Sequence, residues 1–320
     1  MAYTDIAERR QLRRKLTFWR VAAFLLVAAA IVAVWTFISG GDVGEGKRAS
    51  HIARVTISGL IQDDTELLER LDAIEKNDSV KALVVSIASP GGTTYGGEVI
   101  YKAIRRISAK KPVVSDVRTL AASAGYMIAI GGDYIVVGDT SITGSIGVIF
   151  QYPQAKQLLD KIGVSLEEIK SSPMKAEPSP FHDASEESKA MIRAMVMNSY
   201  DWFVDLVVDR RKLPRDEVLR LANGAIFTGR QALDVKLVDA LGGEDTIRTY
   251  LKGRGVADTL AVVDWKAPSS GSMFGLGSII STVIHVLGYG DFMPSATLSS
   301  ATSDKLFLDG LISVWQVGRD

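Results

Sequence analysis

The residues with the clearest potential for chemistry lie around Ser123, in residues 120–126. Residues 112–117 form a strand-like run, and residues 126–132 form an apolar segment with small residues, typical of a helix. A hydroxyl on such a strand-to-helix turn can stand clear of its neighbours, close to the free N–H groups of the helix N-terminus. This geometry suits a serine that attacks an acyl carbon, and the alternative is a serine that only caps the helix.

A second candidate feature is the glycine-rich stretch 89–93, which has the sequence SPGGT. It follows a buried-type strand over 80–87 and precedes an amphipathic helix, at the place where α/β sheets hold their ligands. Because glycine carries no Cβ, the backbone N–H groups of this stretch can approach a ligand closely. The pattern predicts either an oxyanion hole or an ordinary tight turn.

A serine nucleophile needs a base, and the chain contains only three histidines: His51, His182 and His285. The first lies beside a polar tether and the last lies in a tail, which leaves His182 as the plausible imidazole. The other option is a lysine, because dry surroundings lower the pKa of a lysine ammonium until the amine can accept the hydroxyl proton. Residues 168–180 contain two such lysines, Lys170 and Lys175, and composition does not separate them.

The N-terminus predicts a membrane anchor over residues 21–39. This stretch has no charged side chain, and at about 1.5 Å per residue it nearly crosses a hydrocarbon core of about 30 Å. Residues 1–20 are a basic tail, whereas the first charges after the stretch are Asp42 and Glu45. The positive-inside rule places the basic tail in the cytoplasm and everything after about Gly40 across the membrane. A cleaved signal peptide is the alternative, but its apolar region should be shorter.

The remaining sequence divides into a tether, a globular domain and an extension. Residues 40–50 are rich in glycine and polar, which indicates a flexible tether. Strand-like and amphipathic helical segments alternate through residues 51–266, which predicts an α/β domain with a parallel sheet and crossover helices. An apolar stripe at helical spacing around 191–207 is expected in the core or in a subunit contact. Residues 267–320 are a C-terminal extension of unknown role. Its last part, residues 305–317, is interpreted as a docking tail.

Composition excludes several classes of function. Lys plus Arg and Asp plus Glu each number 37, so no excess of positive charge recruits nucleic acid. The chain has no cysteine, which rules out disulfides, thiolate chemistry and cysteine-based metal sites.

Several motifs, taken in order, resemble those of the signal peptide peptidase A family in its short bacterial form. The resemblance covers about residues 50–250. It rests on SPGG (89–92), AASAGY (121–126), TGSIGV (143–148), residues 170–180, NSY (198–200), FTGRQA (227–232) and LVD (237–239).

The resemblance implies a crotonase-like (ClpP-like) fold, preceded by one N-terminal transmembrane helix, and a Ser–Lys dyad that uses no metal or cofactor. The positions that match the motifs of this family imply that Ser123 is the nucleophile and Lys175 is the general base. The N–H groups of Gly92 and Ala124 would form the oxyanion hole. Ser145 would hydrogen-bond the lysine and orient it.

The expected protein is a membrane-anchored serine endopeptidase that degrades cleaved signal peptides near the bilayer. It would be a single-pass protein of the bacterial inner membrane, with a catalytic domain outside the cytoplasm, and the resemblance implies a homo-oligomer. One alternative is a crotonase-type acyl-CoA enzyme, although those enzymes are normally soluble and would not need Lys175. The other is a non-catalytic membrane scaffold in which Ser123 and Lys175 are structural.

Overall fold

The computed structural model describes residues 15–26, residue 29, residues 49–266 and the backbone of residues 312–314. The chain divides into two units, residues 1–50 and 51–320. In the first unit, residues 15–26 are helical (α1) and mostly exposed. None of the helices in the described ranges is both long enough and apolar enough to cross a bilayer. The predicted span, 21–39, and the predicted tether, 40–50, lie mostly outside the described residues and stay predictions.

The second unit is an α/β domain. Its described strands are β1 (His51–Ile61), β2 (Val80–Thr93), β3 (Val113–Ala122), β4 (Tyr134–Val137), β5 (Ile142–Gly144), β6 (Ile226–Thr228), β7 (Ala240–Leu241), β8 (Val262–Asp264) and β9 (Ile312–Val314). Its described helices are α2 (Thr65–Lys76), α3 (Thr94–Ser108), α4 (Ala124–Ala129), α5 (Lys156–Ile162), α6 (Glu186–Arg211), α7 (Arg215–Leu221), α8 (Gly229–Asp234) and α9 (Glu244–Gly253).

These strands form one mostly parallel sheet, in which β6, β5, β3, β2, β1 and β8 are successive neighbours. The strand β4 pairs with β3, β7 pairs with β4, and β9 pairs with β2. The pairs β5–β6 and β2–β9 are antiparallel, and the other pairs are parallel. Helices connect the successive strands β1, β2 and β3, so the predicted parallel sheet with crossover helices is confirmed.

Both faces of the sheet are buried. On one face, α2 and α3 contribute apolar side chains that pack against β1 and β2, among them Leu71 and Ile104. On the other face, α9 contributes Ile247 and Leu251 to a second, smaller cluster. Burial on both sides explains why the first half of β2 is an almost uninterrupted apolar run.

The long helix α6 divides into a core half and a surface half. Its C-terminal half buries Phe203, Val204 and Val207 completely. In its N-terminal half, by contrast, Met195 and Met197 are 47% and 45% exposed. The apolar stripe predicted for this helix therefore lies only partly in the core of the single chain.

Tyr126 anchors α4, the helix that follows Ser123. Its side chain is fully buried, and its hydroxyl donates a hydrogen bond of 2.8 Å to the Leu237 carbonyl. Burial also raises the pKa of Tyr126, so the phenol keeps the proton that it donates.

The Tyr126→Phe substitution should lower the free energy of unfolding by about 1–3 kcal/mol, because it leaves the buried Leu237 carbonyl without its donor. Urea denaturation measures this change. Tyr250→Phe is the matched control, since the Tyr250 ring stacks on Tyr134 and its hydroxyl bonds to no residue in the described ranges. The control should shift stability by no more than about 0.5 kcal/mol. Equal losses for the two variants would contradict the anchoring role.

Candidate active site

Ser123 lies at the junction between β3 and α4, in a strained backbone conformation. Its φ is 57° and its ψ is −119°, and a positive φ is uncommon for any residue other than glycine. Two hydrogen bonds hold the turn: the Ser123 N–H donates to the Gly144 carbonyl at 2.8 Å, and the Met127 N–H donates to the Ser123 carbonyl at 2.9 Å. The Ser123 side chain does not cap α4. The capping alternative therefore does not describe this serine.

The register of the sheet brings the glycine-rich stretch and Ser123 to the same edge. Ser89 on β2 pairs with Ala121 on β3. Ser123 follows two residues after Ala121, and Gly92 follows three residues after Ser89. No pair between β2 and β3 follows Ser89–Ala121, since β3 ends at Ala122 whereas β2 continues to Thr93.

Residues 89–93 are the last part of β2, so the tight turn that the sequence also allowed does not form there. The stretch stays extended because Gly91 and Gly92 pair with Leu60 and Ile61 of β1. A Cβ on Gly92 would lie only 1.9 Å from the Ile61 carbonyl oxygen. Close approach of two backbones therefore requires glycine at position 92.

Two helices begin beside this edge. Thr93 caps α3, and its hydroxyl accepts a hydrogen bond of 3.1 Å from the Gly96 N–H. Helix α4 begins at Ala124, and a Cβ on Gly97 of α3 would lie 3.2 Å from the Ala124 Cβ. Helix N-termini carry partial positive charge, which stabilises an anion nearby. The glycine pair 96–97 inside a helical pattern was the sequence signal for this close packing.

Ser145 is the immediate neighbour of Ser123 across the sheet. Each serine follows one member of the register pair Ala122–Gly144. Ser145 also has a positive φ, 51°, and its N–H donates to the Ala225 carbonyl at 2.7 Å. The Ser145 side chain is buried, and its hydroxyl bonds to no residue among those described. This hydroxyl can therefore take a partner from elsewhere.

Lys175 lies on an exposed turn, where its N–H donates to the Ser172 carbonyl at 3.1 Å. Its side chain is exposed and forms no hydrogen bond or ion pair within the described part of the chain. One chain by itself therefore does not bring the Lys175 amine into hydrogen-bond contact with Ser123 or Ser145. The roles assigned to these residues, and to Gly92 and Ala124, stay predictions.

The other candidate lysine of this segment, Lys170, forms ion pairs with two carboxylates. Its ammonium lies 2.5 Å from a Glu168 carboxylate oxygen and 2.7 Å from a Glu177 carboxylate oxygen. The hydrogen bonds that Lys170 donates to these two carboxylates raise its pKa, with the bond to Glu168 contributing most. A lysine held in its charged form cannot accept the proton of a serine, so Lys170 is a poor general base.

The two histidines in the described part of the chain also have polar partners. His182 Nε2 lies 3.2 Å from a Glu177 oxygen and 3.4 Å from the Lys170 ammonium. His51 is buried, and its Nε2 accepts a hydrogen bond of 3.1 Å from the Trp265 indole. His285 lies outside the described residues. Lys175 is thus the candidate base without a partner in the described part of the chain.

Comparison with known proteins gives two family matches. The sequence profile of "Peptidase family S49" matches residues 105–256, a range that contains Ser123, Ser145 and Lys175. The profile of "Clp protease" matches residues 47–137, which supports the predicted ClpP-like fold.

Three of the curated relatives illustrate the similarity, at 33–38% identity. A "putative protease" of Synechocystis sp. is 38% identical over 67% of this chain and 75% of its own length. A "putative protease" of Methanocaldococcus jannaschii is 33% identical over 72% of this chain and 71% of its own length. The "putative signal peptide peptidase SppA" of Enterococcus faecium is 33% identical over 71% of this chain and 70% of its own length.

The Gly92→Ala substitution should destabilise the domain, because the new Cβ would overlap the backbone of Ile61. Overpacking of this kind costs about 1–3 kcal/mol of unfolding free energy. Chemical denaturation followed by circular dichroism measures the loss.

Gly253→Ala provides the control, since a Cβ at that position would meet no atom within 4 Å. Its effect should stay within about 0.5 kcal/mol. A Gly92→Ala protein as stable as the Gly253→Ala protein would show that β1 and β2 do not approach each other as closely as described.

Proposed function

Because the chain belongs to peptidase family S49, the SppA serine peptidases, we propose that it is a membrane-anchored endopeptidase that degrades cleaved signal peptides with a Ser123–Lys175 dyad. The observation that carries this proposal is the strained Ser123, held on a strand-to-helix turn beside a strand that ends in glycines. Strain of this kind is typical of residues positioned for chemistry. A purely structural serine would not need a positive φ, which disfavours the scaffold alternative.

The proposed reaction is acyl transfer through a covalent intermediate. The Lys175 amine removes the proton of the Ser123 hydroxyl, and the resulting alkoxide attacks the carbonyl carbon of a peptide bond. The N–H groups of Gly92 and Ala124 hold the oxyanion, and each such donor contributes about 3 kcal/mol of transition-state stabilisation. The lysine ammonium then gives its proton to the leaving amine, and water hydrolyses the acyl-enzyme.

We infer that the lysine comes from a neighbouring copy of the chain. In one chain Lys175 is exposed and has no partner among the described residues. Ser123, by contrast, is 1% exposed, and the neighbouring Ser145 hydroxyl has no described partner. A second copy that presents its residue 175 to this edge would supply the missing amine. Ser145 would then accept or donate the hydrogen bond that orients it.

The surface around Lys175 supports self-association. Seven large apolar side chains are exposed between residues 149 and 181: Ile149, Leu158, Ile162, Val164, Leu166, Ile169 and Phe181. Ile169 is fully exposed, at 106%. Ile149 also lines a cavity of about 310 Å³, together with Phe150, Tyr152 and the first half of α6. Exposed apolar patches of this kind mark contact surfaces, and a homo-oligomer would bury this one.

The membrane location and the substrate class rest on the sequence and on one relative. Residues 21–39 have the length and composition of a bilayer span. The similar protein of Enterococcus faecium is named for signal peptides, which are short and apolar. An anchored peptidase would meet such peptides where they are released, next to the bilayer.

Ser123→Ala should abolish peptidase activity, with a loss of at least about 10⁴-fold in kcat, because it removes the nucleophile. Lys175→Ala should lose about 10²–10⁴-fold, which is the usual contribution of general-base catalysis. An apolar fluorogenic peptide measures turnover, and a fluorophosphonate probe measures the reactivity of the serine.

Lys170→Ala and His182→Ala are the controls on the same segment, and both should remain active and label normally. If the probe still labels Lys175→Ala but no longer labels Lys170→Ala or His182→Ala, the general base is Lys170 or His182 and not Lys175.

Co-expression of Ser123→Ala and Lys175→Ala chains tests whether the dyad spans two copies. If each site takes its serine and its lysine from different subunits, randomly mixed oligomers should recover about a quarter of the wild-type activity. The mixture is compared with each variant expressed alone. Activity no higher than that of the single variants would show that both residues act within one chain.

A further inference from the structure

The cavity of about 310 Å³ beside the first half of α6 has apolar walls and a cationic rim. Two cations, Lys189 and Arg193, line it, and none of its described lining residues is acidic. Pockets that hold small ligands begin at about 300 Å³, so this cavity is large enough for the end of a peptide. The rest of its lining is apolar or aromatic: Ile149, Phe150, Tyr152, Pro178, Ile192 and Val196.

The cavity lies close to the candidate active site along the chain. Ile149 follows Ser145 by four residues, and Pro178 follows Lys175 by three. Because an extended chain spans at most about 3.6 Å per residue, these wall residues lie within about 14 Å of Ser145 and about 11 Å of Lys175. Ser145 is in turn the neighbour of Ser123 across the sheet. A peptide with one end in the cavity can therefore reach Ser123 with a few extended residues.

Arg193 is the cation of this rim that is open to a new partner. It lies one helical turn after Lys189, so both side chains are on the same face of α6. Lys189 forms an ion pair of 2.8 Å with Glu186, whereas Arg193 forms no hydrogen bond or ion pair within the described residues. The carboxylates that act on Lys189, Glu186 and Asp183, do not line the cavity. A guanidinium in this position can bind a carboxylate through two parallel hydrogen bonds.

An apolar cavity with a cationic rim suits an apolar group that ends in an anion. Release of a signal peptide from its precursor leaves the peptide with a free C-terminal carboxylate, directly after small residues. In the uncleaved precursor the same carbonyl carbon belongs to an uncharged peptide bond, and the chain continues beyond it. A site for the carboxylate would therefore separate the cleaved peptide from its precursor.

We propose that this cavity binds the C-terminal carboxylate of an apolar peptide, with Arg193 as its principal partner and Lys189 beside it. This inference rests on the proposed function, which makes such peptides the substrates. It adds a reason for selectivity, because a precursor brings no negative charge to Arg193. The apolar walls would hold the last side chains of the peptide.

The test compares two forms of one peptide on the full-length Ser123→Ala protein in detergent. The probe is a fluorescein-labelled peptide of leucine and alanine that ends in Ala-Leu-Ala, made as the free acid and as the C-terminal amide. Fluorescence anisotropy should give a Kd about tenfold lower for the acid, because only the acid forms charge-assisted hydrogen bonds. Added salt should reduce the difference. Equal Kd values for the two forms at low salt would overturn the proposal.

A double variant with Lys189→Gln and Arg193→Gln tests the assignment of the residues. It should bind the acid about tenfold more weakly and leave the Kd of the amide unchanged, because only the acid uses the two cations. The matched control carries Arg220→Gln and Lys252→Gln, which removes the same two charges at exposed positions outside the cavity. A preference for the acid that survives in the cavity variant, or that disappears in the control, would overturn the assignment.

A fatty acid offers the same combination of an apolar chain and a carboxylate. Octanoate should displace the labelled acid far less effectively than the unlabelled peptide at the same concentration, because it lacks the main chain that can hydrogen-bond to a strand. Equal displacement by octanoate would overturn the peptide and assign the cavity to fatty acids.

None of these measurements depends on turnover, so their outcome is separate from that of the proposed function. A wild-type protein that cuts no peptide, while the Ser123→Ala protein prefers the acid, would contradict only the peptidase mechanism. An active peptidase whose Ser123→Ala form binds acid and amide equally would contradict only the carboxylate site.

Discussion

The structure depends on the turn that holds Ser123 at positive φ between a strand and a short helix. Such a conformation costs about 1–3 kcal/mol and persists only where the surroundings impose it. Here they do so from several sides: the Gly144 carbonyl accepts the Ser123 N–H, β3 pairs with β2 up to Ala121, and buried Tyr126 ties α4 to Leu237. The sheet and its helices therefore act together to place one hydroxyl.

The same constraint explains the glycines around the site. Strand β2 must continue past the end of its pairing with β3 and pass close to the backbone of Ile61, which leaves no room for a Cβ at Gly92. Helix α3 then begins close to α4, where a Cβ on Gly97 would lie 3.2 Å from the Ala124 Cβ and make a tight contact. As a result, the last part of β2 lies beside Ser123 with β1 on one side and β9 on the other.

Much of this architecture could be predicted from the sequence, because periodicity reports on local structure and burial. The parallel sheet, the crossover helices and the turn at Ser123 follow from such patterns. The strand conformation of residues 89–93 does not, since their glycines and proline also suit a turn and only the pairing with β1 decides. The contact between β9 and β2 joins segments far apart in sequence, which no local pattern encodes. The lack of a described partner for Lys175 was equally hidden, because a local sequence pattern does not report which distant residues a side chain contacts.

We propose that the Lys175 amine, which has no partner among the described residues of one chain, meets the strained Ser123 of a neighbouring copy. The most direct measurement is the distance from Lys175 Nζ to Ser123 Oγ in an electron cryomicroscopy structure of the full-length protein in detergent. The account predicts that the two atoms lie within about 3.2 Å across two neighbouring protomers. Assembled protomers in which no Lys175 approaches any Ser123 to within reach of one bridging water would contradict it.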